Sequence, residues 1–522
     1  MAEAGRGRSP WLARGAAVAA GALAALAQPP FGFLPGLLGY ALLVTVLDRA
    51  ALGERPLRSA FQRGWLAGVG YFAISLWWLT EPFQVDAPHQ GWMAPFAVGI
   101  VTAGMALFWG VAAVAYRFAA PKGVGRVLQF AACFTLLEWL RGHVLTGFPW
   151  DLPGETWAAG SPISQVAAVV GAYGLTWITL AIAGAPAVIA EKWPGGAVVA
   201  SALAVLAAAY AFGAERLAAM PRPDPHGPLL RVVQARVRQE SKYDPAIFNS
   251  IVGRYIALTS APAARRPDIV IWPEGAIPAA FEDYLAPGTW TQQAIVDALA
   301  PGETLILGGY RIGAGSATGP VAFNTLAVLR RQGDGLALIG RYDKFRLVPF
   351  GEFIPFDALA GRLGIKTFVH VGDGFTPGPR PRPLSPAGLP AFQPLICYEA
   401  LYPGFTREGA IAAGKRPAWI VNISNDAWFG ATSGPLQHLN IASYRAIEEG
   451  LPMVRATPTG VSAVIDAAGR PTASLGEGAY GIIDAPLPPA LAPTPFSRWG
   501  DLPLLAMLVI SLVPVGWSRR RA

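Results

Sequence analysis

Two patterns of apolar and polar positions divide this chain. Up to about residue 214 the apolar residues run in long, almost unbroken stretches, near 11 to 27, 33 to 47, 64 to 80, 93 to 116, 127 to 140, 162 to 190 and 196 to 213, and one more returns at about 502 to 517. Stretches of this length and apolarity predict membrane-crossing helices, about eight in all. Between about 215 and 498 the apolar runs shorten and charges, Pro and Gly rise. LLRVVQARV (229 to 237), DIVIW (268 to 272), TLILGGYRI (304 to 312), TLAVLRR (325 to 331), FQPLIC (392 to 397), AWIVNIS (418 to 424) and VSAVIDAAG (461 to 469) read as strands. Helical periodicity falls between several of them, near 245 to 263, 290 to 300 and 435 to 450. Strands alternating with helices predict an α/β domain, with loops at the Pro-Gly-rich pieces 312 to 320 and 376 to 390. The expected organisation is a helical domain of about seven spans over 1–214, an α/β domain over 215–498, and a last span with a basic tail over 499–522.

Composition strengthens the membrane reading. The chain is 53% hydrophobic and 14% charged, against about 25% charged for soluble proteins. Its net charge of +8 is distributed by topology. Arg49, Arg55, Arg58 and Arg63 follow the second span and Arg117, Lys122 and Arg126 the fourth, whereas 81 to 92 and 142 to 161 carry no Lys or Arg. The positive-inside rule then puts the N-terminus in the cytoplasm, the α/β domain on the outer side after seven spans, and Arg519, Arg520 and Arg521 back inside. No basic stripe with interleaved aromatics suggests nucleic acid. The first stretch, with Arg6, Arg8 and Arg14 before it and Ala25-Leu26-Ala27 at its end, mimics a signal peptide. The following Pro29-Pro30 and the many later spans favour a retained helix.

Candidate chemistry lies in three short pieces. LICYE (395 to 399) has the layout of a strand ending at a sharp turn that presents Cys397, which suits a nucleophile. A thiol near pKa 8.5 is mostly protonated at neutral pH and needs a base. Glu274 of WPEG (272 to 275) can supply one, and Lys344, which opens KFRLVPFGEFIP (344 to 355), can hold a developing oxyanion. Singly, a Cys is usually a small buried hydrophobe and Glu or Lys a solvated charge. The other cysteine, Cys133, lies in an apolar span, so a structural disulfide is not expected. The five His residues are scattered, and His438 reads as a hydrogen-bonding residue. No P-loop, dinucleotide fingerprint or metal-ligand cluster is present, so neither cofactor nor metal is expected. In the helical half, Glu138 and Arg141 are three apart and share a helix face, just before TGFPW (146 to 150). Gly351, Gly372, Gly374 and Gly404 mark loops with freedom to move over Cys397.

In combination, the Glu274, Lys344 and Cys397 contexts resemble the nitrilase superfamily, which implies an α-β-β-α sandwich with this triad at strand ends. NISNDAWFG (422 to 430), QHLNIASYRAIEEG (437 to 450), CYEALYP (397 to 403), EWLRG with TGFPW, GWLAGVGYF (64 to 72) and GAYGLTW (171 to 177) extend the resemblance over nearly the whole chain. They are similar to the apolipoprotein N-acyltransferase family. That resemblance implies a bacterial inner-membrane enzyme with its catalytic domain on the periplasmic side. Such an enzyme moves an acyl chain from a glycerophospholipid, through a thioester on Cys397, to the α-amine of an N-terminal diacylglyceryl-cysteine. It also implies supporting roles for Glu352, Tyr398 and Glu399, lipid-side contacts at Tyr243 and Trp428, and a monomer. The chain departs from the family pattern at Tyr243, where Trp is frequent, at Leu451, where Arg is, at Pro458, where Asn is, and in DLPGETW (151 to 157). The triad alone also fits a membrane-tethered carbon-nitrogen hydrolase, an amidase or nitrilase in which water resolves the thioester. A transporter or scaffold with a degenerate outer domain is a further alternative, against which the intact triad counts.

Overall fold

The structure, a computed structural model, describes residues 10–52, 54–119, 123–314, 320–354 and 374–520. Arg6, Arg8, Lys122, Pro355, Gly372 and Arg521 lie outside the described residues. The chain divides into two compact units, one made of Met1–Phe83, Ala87–Ala218 and Trp499–Ala522, the other of Gln84–Asp86 and Ala219–Arg498.

The first unit is helical: α1 (Pro10–Leu26), α2 (Leu38–Asp48), α3 (Pro56–Ser75), α4 (Ala94–Phe118), α5 (Arg126–His143), α6 (Ala167–Gly184), α7 (Lys192–Ala218) and, from the end of the chain, a helix at Leu502–Arg520. α3 packs between α1 and α4, and the glycines of GWLAGVGYF make this possible. A Cβ at Gly64 would lie 2.5 Å from the Trp109 carbonyl oxygen, and one at Gly70 2.2 Å from that of Val18. Helices packing in lipid gain little from burial of apolar area, so close backbone approach at small residues has to supply the contact.

Helices occupy all eight expected positions, yet among the described residues four stretches are both long and apolar enough to cross a membrane: Leu34–Ala51, Ala87–Phe118, Ile163–Val188 and Trp193–Ala218. Trp11–Leu26 and Leu502–Ser511 are apolar but shorter. α3 and α5 fall below by composition, since α3 carries Arg58 and Arg63 and α5 carries Arg126, Glu138 and Arg141. The span expected at 64 to 80 is shifted towards the N-terminus, because its helix ends at Ser75 and gives way to 3-10 turns over Trp77–Gln84 around Pro82.

The second unit holds eleven strands: β1 (Leu229–Gln234), β2 (Ile269–Ile271), β3 (Thr304–Gly313), β4 (Val321–Gln332), β5 (Gly335–Asp343), β6 (Phe392–Ile396), β7 (Trp419–Ile423), β8 (Met453–Ala456), β9 (Ser462–Ile465), β10 (Pro471–Leu475) and β11 (Gly481–Pro486). One sheet runs β11-β1-β2-β3-β4-β5 and the other β10-β9-β8-β7-β6. β1 to β3 are parallel, as are β6 to β8. Every position of β2, β6, β7 and β8 is buried, as expected for central parallel strands covered on both faces. Val232, Ile271 and Ile306 of the first sheet meet Phe392, Val421 and Val454 of the second in one core. On the other face of the first sheet, Val233, Val270 and Leu305 pack with Ile251 and Tyr255 of α8 (Phe248–Thr259) and Ile295 of α9 (Trp290–Ala298). α10 (Phe405–Ala413) lies on β6, where a Cβ at Gly409 would reach the Gln393 side chain at 2.5 Å. The unit is an α/β sandwich. A further helix, α11 (Gly434–Glu449), packs against α10 and the turn that follows β6.

Candidate active site

Three strand ends deliver the reactive side chains. After β2, Trp272 is buried and its indole N–H donates to Thr259 Oγ1 at 2.9 Å, which anchors the WPEG turn on α8. The turn is stitched to β3 by Gly308 N–H donating to the Pro273 carbonyl at 3.2 Å and Ala276 N–H to the Gly308 carbonyl at 3.1 Å. A Cβ at Gly308 would come within 2.5 Å of the Glu274 Cα, so a glycine on β3 lets Glu274 sit against the sheet. After β5, Lys344 N–H donates to the Asn324 carbonyl at 2.8 Å. After β6, the chain turns at once into the 3-10 segment Cys397–Leu401.

Cys397 has φ of 49°, left-handed at a residue with a Cβ, which costs on the order of 1–2 kcal/mol. Glu399 holds this turn. Its Oε2 accepts the Ile396 N–H at 2.8 Å, while its Oε1 accepts the Tyr342 hydroxyl at 2.6 Å and the N–H groups of Phe345 and Arg346 at 2.8 and 3.1 Å. One buried carboxylate thus ties the nucleophile turn to the segment that carries Lys344. It does not touch the ammonium, contrary to the expectation that either supporting carboxylate might hold Lys344. Burial first of all raises the Glu399 carboxyl to about 7 against these donors.

Glu352 does hold the ammonium. Lys344 Nζ lies 2.9 Å from Glu352 Oε2 and 3.4 Å from Glu274 Oε1. The Asn324 amide, from β4, donates one N–H to Glu274 Oε1 and one to Glu352 Oε1, both at 2.7 Å. Val348 N–H donates to Glu352 Oε2 at 2.8 Å. Burial alone would push the Lys344 ammonium down, but Glu274, Glu352 and Cys397 outweigh it and its pKa is raised. Among the described residues Glu274 Oε2 makes no hydrogen bond, so it is the oxygen able to take a proton. Burial and then the Glu274 charge push the half-buried Cys397 thiol up to about 12, with Lys344 and a Ser424 hydrogen bond pulling it down. The resting thiol is protonated, and a base has to act.

Behind Cys397 lies a second buried polar group. Asp426 accepts Ser424 Oγ at 2.7 Å and Arg455 Nη2 at 2.6 Å, and His438 Nδ1 is 3.0 Å from it. His438 is held as a structural hydrogen-bonding residue, with its pKa lowered first by burial and then by Arg455. No group of three His, Cys, Asp or Glu able to hold a metal ion occurs among the described residues.

The geometry therefore brings Glu274, Lys344, Glu352 and Cys397 together, with Glu399 one layer behind. Tyr398 is buried edge-on against Tyr402 at 5.3 Å. Tyr243 is 50% exposed and couples weakly to Glu274. Trp428 is half-buried on the Asp426–Phe429 turn and, among the described residues, makes no hydrogen bond or ring contact. Of the loop glycines, Gly374 (φ 104°) and Gly404 (φ 82°) serve left-handed turns. Reasoning from sequence missed Asn324, whose signal would have been a lone amide inside an apolar strand.

Comparison with known proteins gives a consistent set of similarities. Residues 20–185 match the family described as apolipoprotein N-acyltransferase N-terminal domain, and residues 229–494 match carbon-nitrogen hydrolase. An apolipoprotein N-acyltransferase of Caulobacter vibrioides is 55% identical over 96% of this chain and 94% of its own. One from Bradyrhizobium diazoefficiens is 39% identical over 95% and 93%. Among solved structures, an amidase of the nitrilase superfamily from Nesterenkonia AN1 covers 51% of this chain and 93% of its own, at 18% identity and a TM-score of 0.35.

Proposed function

This chain belongs to the apolipoprotein N-acyltransferase family, and from that premise we propose a ping-pong acyl transfer with Cys397 as nucleophile, Glu274 as base and Lys344 as the oxyanion cation. Membership makes the chain an N-acyltransferase of lipoproteins, and water as the resolving nucleophile is not favoured. The observation that carries the residue roles is the placement of the Lys344 ammonium between Glu274 and Glu352, with the charges of both Glu274 and Lys344 reaching the Cys397 sulfur.

Glu274 Oε2 takes the thiol proton as the sulfur bonds to the ester carbonyl carbon of a glycerophospholipid. The carbonyl electrons move onto oxygen, and Lys344 stabilises the charge, a contribution of roughly 3–4 kcal/mol for a single preorganised donor. Collapse breaks the ester C–O bond, and the departing lysophospholipid oxygen takes the proton from Glu274. The α-amine of a diacylglyceryl-cysteine then attacks the thioester and gives its proton to Glu274. The C–N bond forms, the C–S bond breaks, and the proton returns to Cys397. Glu352 and Asn324 keep the ammonium and the base in register. Tyr398 and Glu399 fix the nucleophile turn, and Tyr243 and Trp428 contact lipid.

The eight helices are proposed as eight spans of the bacterial inner membrane, with 1–214 as the transmembrane domain, 215–498 as a periplasmic catalytic domain and 499–522 as the closing span and cytoplasmic tail, in a monomer. Both substrates carry acyl chains whose exposure would cost about 0.8 kcal/mol per CH₂, which supports a membrane setting. A reporter fused after residue 215 should read periplasmic and one fused at the C-terminus cytoplasmic; the reverse result removes this topology. The chemical test is to incubate the purified protein with phospholipid, find the acyl group by mass spectrometry on the peptide containing Cys397, and discharge it with a diacylated lipopeptide bearing a free amine. A label on any other residue sinks the assignment.

A further inference from the structure

The triad is not the whole of the charge in this site. Lys242 is 4% exposed, and among the described residues its ammonium has neither a hydrogen-bond acceptor nor a carboxylate at ion-pair distance. It lies against the base: Nζ would be 2.8 Å from a Cβ on Gly275, the residue after Glu274, and it occupies the room left by that missing side chain. Gly275 itself is left-handed, with φ of 57°. The loop carrying Lys242 is pinned to the nucleophile's side of the site, since Asn425 Nδ2 donates to Gln239 Oε1 at 2.9 Å. Tyr243, exposed, is the next residue.

A buried unpaired ammonium is expensive, and proteins keep one where an anion is to be received. Burial already lowers the Lys242 pKa to about 8, with Glu274 alone opposing it. Lys344 cannot receive another full charge, because two carboxylates already flank it. Of the two substrates only the acyl donor brings a fixed anion, the phosphate on the same glycerol as the ester under attack. The diacylglyceryl-cysteine acceptor has none.

Resting on the acyl-transfer reading above, we propose that Lys242 is the donor-phosphate contact: its ammonium receives the phosphodiester of the phospholipid and sets the ester carbonyl between Cys397 and Lys344. It acts in the first half-reaction and leaves the second untouched.

The test uses the full-length protein and single-turnover acylation of Cys397 by two donors, a phospholipid in mixed micelles and a p-nitrophenyl acyl ester, which has no phosphate. In the Lys242→Gln variant, phospholipid acylation should fall about tenfold or more, as expected for loss of one charge-assisted contact. Acylation by the neutral ester, and discharge of the resulting thioester by a diacylated lipopeptide, should stay within about twofold. Lys242→Arg should recover much of the phospholipid rate, and the melting temperature of Lys242→Gln should not drop, because an unpaired buried charge stabilises nothing. Equal losses with both donors, or no loss with either, overturn the inference. Failure of the wild type to be charged on Cys397 by either donor is a different result and sinks the acyl-transfer reading itself.

Discussion

Each unit of this molecule buries a carboxylate beside a cation, and the two clusters differ in what they leave undone. In the helical unit Glu138 and Arg141 pair one to one on α5. Trp109 donates to Glu138 Oε1 at 2.6 Å, Arg141 Nε donates to Glu138 Oε2 at 2.8 Å, Arg141 also donates to the Phe148 carbonyl, and its guanidinium stands 5.1 Å from the Phe72 ring centroid. The guanidinium thereby fastens the TGFPW loop to its own helix. In the α/β unit two carboxylates share one ammonium and one amide, Glu274 keeps an oxygen unbonded among the described residues, and the nucleophile turn is left-handed. Closed pairs hold structure. An open cluster beside a protonated thiol is arranged to move a proton.

That contrast is broken most completely at the sulfur. Cys397→Ala should abolish both the acyl-enzyme and the product, whereas Cys133→Ala on α5 should leave both near wild type, as read by mass spectrometry and a gel-shift assay of a lipoprotein substrate. Next comes the base. Glu274→Gln retains the size and the contact to Asn324 but cannot take the proton, so thioester formation in single turnover should fall about 10²- to 10⁴-fold. Charging at the wild-type rate would move the base elsewhere in the site.

The closed pair should respond in stability instead. Glu138→Gln strands the Arg141 guanidinium in a buried site and should cost about 3–5 kcal/mol, seen as a lower thermal midpoint in detergent. The fraction that remains folded should still charge Cys397. Replacing both partners by apolar residues of similar size, Glu138→Leu with Arg141→Met, should cost less than Glu138→Gln alone. If the single variant folds normally but loses acyl transfer, the pair is chemical and the contrast fails.

Much of the open cluster was legible before the structure, because Glu274, Lys344, Glu352 and Cys397 each sit at the end of a recognisable apolar run. Asn324 was not, since β4 starts at Val321 and the apolar pattern shows clearly only from Thr325. Lys242 was passed over for a similar reason, as a lone charge in a polar loop has no periodicity to betray its burial. β5, β8, β10 and β11 were also missed: β8 has four residues and β10 is largely exposed, too short or too polar for an alternation signal. The helices were easier to find than to count as spans, because polar residues at internal helix contacts, such as Glu138 and Arg141, lower apolarity without ending a helix.

The smallest expected effect lies between the two kinds of cluster, at Glu399. This carboxylate is closed like Glu138, with four protein donors, yet it anchors the nucleophile turn like a member of the site. In Glu399→Gln the amide NH₂ must face one donor, most simply the Ile396 N–H, so a hydrogen bond becomes a clash of donors at the residue before Cys397. The cost should be about 1–3 kcal/mol. Thioester formation should be nearly intact, and transfer to the bulkier acceptor slower, since docking it demands a better-held turn. Stability against pH separates a closed anchor from an ionised one. Burial raises the Glu399 pKa from 4.5 to about 7 in the folded protein, so its protonated form is favoured there, and the stability it contributes is full below about 4.5 and lost as pH rises through about 7. Gln does not titrate, so the stability gap between wild type and Glu399→Gln should shrink across that window. A gap that widens instead would mean that the four donors outweigh burial and hold Glu399 as an anion, which would place it with the open cluster.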